Sequence, residues 1–152
     1  MLFYVIEFQS GETGSVISFS FTNEQYQAGE ADAKYHDLLR VAATSNVRKH
    51  GVILMTDLLV PIKKDVYNHG ADDDESLITY VLEVQSGESG AVIPFAFASD
   101  QRWAINSKYY SLLAAAAQSS VPRHGAMVID EDLNFDWMAD KKVFLHDQGN
   151  VS

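Results

Sequence analysis

The stretch YVIEFQSGETGSVISFSF at residues 4–21 is written a second time, as YVLEVQSGESGAVIPFAF, at residues 80–97. At a constant offset of 76, 12 of these 18 positions are identical. A second block, AKYHDLLRVAATSNVRKHG at 33–51, matches SKYYSLLAAAAQSSVPRHG at 107–125 with an offset of 74 and 10 of 19 identities. Self-similarity at a fixed period marks a repeat architecture. A period of about 75 residues is too long for a solenoid unit and suits a minimal domain. The chain is therefore a tandem duplication, with repeats at 1–70 and 77–152 and an acidic linker at 71–76, within GADDDES.

Each copy predicts the same elements. Tyr4, Ile6 and Phe8 alternate with Val5, Glu7 and Gln9, the period of two of a half-buried strand. SGETGS and SGESGA then supply turn glycines for a hairpin. Strand two sets Ile17, Phe19 and Phe21 against Val16, Ser18 and Ser20, matched by Ile93, Phe95 and Phe97 against Val92, Pro94 and Ala96. The period then becomes helical: Tyr35, Leu38, Leu39 and Ala42 recur as Tyr109, Leu112, Leu113 and Ala116. Thr22 or Asn23 can cap the first helix, and Ser99 or Asp100 the second. Gly29 interrupts the start of the first. VILMT and AMVID read as third strands, VPIKKDVY and FDWMADKKVF as fourth strands.

The predicted fold class is α+β: two ββαββ units, each a four-stranded antiparallel sheet with one helix on one face. The helix returns the chain so that strand three runs parallel to strand two. An all-antiparallel sheet then needs strand one between them, in the order 2-1-3-4. Pro94 fits an edge strand two, because proline cannot donate a ladder hydrogen bond.

With Tyr4, Ile6 and Phe8 read as the helix side, the other sheet face carries Val5, Val16, Val81, Val92, Pro94 and Ala96. Such a bare apolar face calls for a partner, and the second copy is at hand. The expectation is an intrachain pseudo-two-fold dimer, meeting by sheet face, sheet edge or the small LLAAAAQ helix surface.

The composition, 47% hydrophobic and 21% charged, is that of a folded protein. A net charge of −10 disfavours nucleic acid and anionic lipid and favours a partner with a basic protein surface; a homo-oligomer stays open. There are no cysteines, which excludes disulfides and thiolate chemistry. MLFYVIEF lacks a basic n-region and reads as a first strand, not a signal peptide. No apolar run reaches the ~20 residues of a membrane span, and a cytoplasmic or virion-associated location is expected.

Candidate ligand or partner contacts are the polar residues that recur. Glu7 and Gln9, with Glu83 and Gln85, are placed on the face away from the helix, where a ligand could lie across the pseudo-dimer or Lys49 and Arg123 could stand opposite. His50 and His124 each precede a glycine, and Lys34 and Lys108 each precede a core tyrosine. His69 and His146 sit at the mobile ends of their units. No metal set, cofactor motif, phosphate loop or catalytic arrangement is recognisable, so neither an enzyme nor a cofactor is expected.

Tyr4, Glu7, Gln9, Lys34, Tyr35, His36, Leu39, Ala42, Ala43, Ser45, Val47 and His50 follow a pattern YxIExQ, a glycine turn, then AxxK, Tyr or Phe, and HxxLxxAAxSxVxxH. In this the chain resembles small uncharacterised proteins of gut Firmicutes and their prophages, each the size of one repeat. Copy two departs at Tyr110, where the histidine is missing. The resemblance implies a phage setting and supplies no activity. The expected function is a non-catalytic binding or assembly protein acting through protein–protein contacts. The alternative is an anti-defence protein that blocks a host immune complex or holds a small nucleotide signal between its repeats.

Overall fold

The computed structural model describes residues 1–70, 76–135 and 140–146. In the first repeat, β1 (Phe3–Ser10) and β2 (Gly14–Phe21) form a hairpin. A short α1 (Asn23–Gln27) and α2 (Glu30–Ala43) follow, then β3 (Lys49–Thr56) and β4 (Pro61–Asn68). The second repeat runs β5 (Ile78–Ser86), β6 (Gly90–Ala98), α3 (Arg102–Ala117), β7 (Arg123–Asp130) and β8 (Lys141–Leu145). The sheets are ordered β2-β1-β3-β4 and β6-β5-β7-β8, every pairing antiparallel. Pro94 lies on the edge strand β6. Of the linker, residues 71–75 lie outside the described residues, as do 136–139 of the expected fourth strand of repeat two.

Thr22 starts α1 with a capping box, its hydroxyl accepting from the Gln25 amide while Gln25 Oε1 accepts from the Thr22 amide. Gly29, at φ 85°, turns the chain from α1 into α2, a left-handed conformation that glycine takes without a Cβ penalty. Copy two has no counterpart of α1 among the described residues. There the expected cap is corrected: neither Ser99 nor Asp100 caps α3, which begins from Gln101 without a side-chain cap. The Ser99 hydroxyl is instead bonded to Thr79, 2.8 Å away.

The two sheets pack face to face, with helices outside, giving four layers. One buried cluster holds Tyr4, Ile6, Phe8, Ile53 and Met55 of repeat one together with Tyr80, Leu82, Val84, Met127 and Ile129 of repeat two. Two further clusters lie under the helices. Phe3, Val5, Val52 and Leu54 pack on Ala31 and Tyr35, while Val81 and Ala126 pack on Ile105, Tyr109 and Leu112.

This reverses the expected facing of strand one. Val5 and Val81 are completely buried beneath their helices and take no part in the contact between repeats. Val16 and Val92 pack against the inter-sheet cluster, while Pro94 and Ala96 register opposite Leu82 and Tyr80 at its exposed edge. The physical reason is that β1 and β5 are covered on both faces. Apolar residues then occupy both parities, and alternation loses its power to say which side faces what.

The join between repeats is reciprocal, as an isologous contact must be. Asp57 accepts from the Leu2 amide at 2.9 Å and from Arg123 Nη1 of the other repeat at 2.9 Å. Glu131 accepts from the Leu77 amide at 2.8 Å and from Arg48 Nη2 of the first repeat at 2.6 Å. Lys64 Nζ donates to the Leu133 carbonyl and Lys141 Nζ to the Leu59 carbonyl, at 2.7 and 2.6 Å. Leu59 and Leu133 both hold positive φ, 63° and 61°, with side chains fully buried in the shared core. That burial holds each leucine in a conformation unusual for a branched residue.

Candidate functional site

Of the eight recurrent polar residues, Glu7, Gln9 and His50 come together in one repeat and Glu83, Gln85 and His124 in the other. Glu7 lies on the helix side of β1, not on the bare face, since it registers with Ile17 and Val52. Its Oε2 is 2.7 Å from His50 Nε2, and Glu83 Oε2 stands at the same distance from His124 Nε2. A carboxylate only accepts, so each imidazole donates from Nε2. The Nδ1 atoms of His50 and His124 are both buried without a hydrogen-bond partner. Gln9 and Gln85 register directly opposite these histidines, half-buried.

The helix lysines meet strand two instead of the Glu–His pairs. Lys34 Nζ sits 4.2 Å from the centre of the Phe19 ring, and Lys108 Nζ 4.2 Å from that of Phe95. A cation over an aromatic face is electrostatically favourable, and the lysine stem shields strand two from water.

This placement corrects two expectations. Glu7 and Glu83 lie on opposite outer sides of the sandwich, separated by both sheets, so they cannot share one ligand. Their partners are His50 and His124; Lys49 faces the inter-sheet layer, 2.8 Å from Asp132, and Arg123 meets Asp57. Nor are His69 and His146 loose ends. Their Nε2 atoms donate to the Ala42 and Ala116 carbonyls at 2.8 and 2.7 Å, satisfying the last turn of each helix.

A broad concavity lies where the repeats join. It is a groove of about 1000 Å³ walled by Gln9 and the Gly11–Ser15 hairpin, by Asn46–Arg48, and across from these by Leu77, Ile78 and Ala96–Ala98. One wall comes from each repeat, so the groove exists only because the sheets dock. The pseudo-symmetric position holds a cavity of only 140 Å³, against Leu2, Asp57, Pro122 and Arg123. Arg48, on the groove wall, is already neutralised by Glu131. Among the described residues, no cluster of three or more His, Asp or Glu is placed to hold a metal ion, and no helix is long and apolar enough to cross a membrane.

Sequence reasoning missed Asp57 and Glu131, the acids that fasten the repeats. Their signal was present: each lies at the same point of its copy, two residues before a leucine. It also missed Trp103, 83% exposed on α3, which has no aromatic counterpart in copy one. No family model, curated relative or solved structure matches the chain.

Proposed function

We propose that the chain is a non-catalytic binding or assembly protein of a phage or prophage, working through contacts with another protein. The observation that carries this reading is the groove at the junction of the repeats. A volume near 1000 Å³ is at the upper end for a small-molecule site and suits an inserted segment of a partner. Its walls combine apolar Val47, Leu77, Ile78 and Phe97 with polar Gln9, Thr13 and Asn46. The Nε2 atoms of the two imidazoles are occupied by the carboxylates of Glu7 and Glu83, which fits a structural role for these pairs. The phage setting rests on the resemblance of each repeat to small prophage proteins.

A second reading, capture of a nucleotide signal between the repeats, draws on the same groove. It is the weaker one, because a phosphate needs available cations and Arg48 is bound to Glu131. The net charge of −10 favours a basic protein surface over a polyanion.

Affinity capture from infected cells separates these readings. The intact chain is expected to retain a defined phage or host protein that an Ala98→Arg variant, with its groove obstructed, does not. Retention of a nucleotide and of no protein would overturn the proposal.

A further inference from the structure

The two helices occupy equivalent places but present different outer faces. Ile105, Tyr109, Leu112 and Ala116 of α3 are buried against the sheet. The crest opposite them is Trp103, Ser107, Tyr110, Ala114 and Ala117, spaced alternately by four and three residues. Every one of these is exposed, Trp103 at 83% and Tyr110 at 64%. None carries a charge. On α2 the crest carries Asp37 and Arg40, joined as an exposed ion pair. A tryptophan so exposed is costly for a free surface and typical of an interface anchor.

We infer that the outer face of α3 is a self-association surface, on which a second copy of this chain docks its own α3 in antiparallel fashion. Charge leaves this face open to a second copy. A chain carrying −10 repels its own copies wherever its acidic surface meets itself, and this face carries no such charge.

Shape agrees. In an antiparallel pair whose two-fold passes near Tyr110, residue i meets residue 220 − i, so Trp103 lies over Ala117 of the second copy and Asn106 over Ala114. The bulky end of each helix therefore faces the small end of the other, across about 21 Å of helix. The ends are complementary too. Arg102 opens α3, which has no acidic residue in its first turn and no basic residue in its last. Antiparallel docking brings each Arg102 to the carbonyl end of the opposing helix, where a cation is favourable. One helix crossing falls short of the roughly 800 Å² per partner of a standard interface, so the dimer is weak and concentration-dependent.

Sedimentation of the full chain across a wide concentration range tests this. A reversible dimer is expected, with about a tenfold or greater rise in its dissociation constant for Trp103→Glu. Circular dichroism of that variant should show an unchanged melt, because the side chain is exposed. As the chain has no cysteine, Tyr110→Cys provides a second readout. A short bifunctional maleimide should link it into dimers, while Arg40→Cys on α2 stays monomeric. A monomer at all concentrations would overturn the inference, as would a dimer that Trp103→Glu leaves intact or equal linking of the two cysteine variants.

Discussion

The Tyr4 hydroxyl of the first repeat is hydrogen-bonded to the Ser86 hydroxyl of the second, and Tyr80 answers it with Ser10. Each tyrosine reaches across the sandwich to the end of the opposing central strand, and its ring tip lies over a glycine. A Cβ on Gly90 would collide with the Tyr4 hydroxyl, and one on Gly14 with that of Tyr80. Gly14→Ala and Gly90→Ala should each cost about 1–3 kcal/mol, the range for overpacking a filled core. Urea unfolding of the two variants measures this, and an unchanged midpoint for both would argue against the face-to-face join.

The same join predicts what happens when the repeats are parted. Residues 1–70 alone would expose Tyr4, Ile6, Phe8, Ile53 and Met55 to water, along with the fully buried Leu59. A unit of this size already buries only about 60% of its unfolded surface. Residues 1–70 and 77–152, expressed separately, are expected to melt well below the intact chain or to dimerise through the bared sheet. Two monomeric halves as stable as the whole would contradict the shared core.

Alkali should loosen the structure through its buried tyrosines. Burial, opposed by the Ser86 hydrogen bond, raises the Tyr4 hydroxyl from 10.0 to about 12. Burial, aided by the Asp140 charge, raises Tyr109 to about 12 as well. Tyr35 and Tyr80 are also pushed upward, chiefly by burial. Between the unfolded and folded values the unfolded chain has lost protons that the folded chain keeps, so stability falls as pH rises. Their contribution is therefore complete below pH 10 and is lost progressively toward pH 12. Tyr4→Phe should flatten part of that decline in a pH series of thermal melts, even though it leaves Ser86 without its partner.

The Glu–His pairs behave as units. With its side chain 2% exposed, His50 shields a carboxylate that is only 7% exposed. His50→Leu leaves that charge buried and unpaired, which should destabilise by about 3–5 kcal/mol. The double change Glu7→Leu with His50→Leu removes both buried polar partners together and should recover most of the loss. A double-mutant cycle by chemical denaturation gives the coupling. Additive effects would show that the two side chains do not act together.

The local chemistry of the sequence determined much of this molecule. The doubled stretch established two copies, the turn glycines the hairpins, and the helical stripe through Tyr35 and Tyr109 the buried side of each long helix. With a helical crossover between strands two and three, antiparallel pairing then left the order 2-1-3-4, and Pro94 at an edge agreed with it. These features depend on neighbours close in the chain or on topology, and a sequence displays both.

The facing of the central strands was decided only by tertiary structure. In β1 one parity reads Phe3 and Val5 and the other Tyr4, Ile6 and Phe8, so apolar residues stand on both sides. A strand roofed by a helix and floored by another sheet has no solvent side to give it away. Glu7 reads as a surface residue for the same reason. What makes its burial tolerable is His50, 43 residues further on, and only the pairing of β1 with β3 brings the two together. The groove, too, belongs to neither repeat alone. Its walls come from the first hairpin and from β5 and β6, and docking the sheets is what sets them opposite each other.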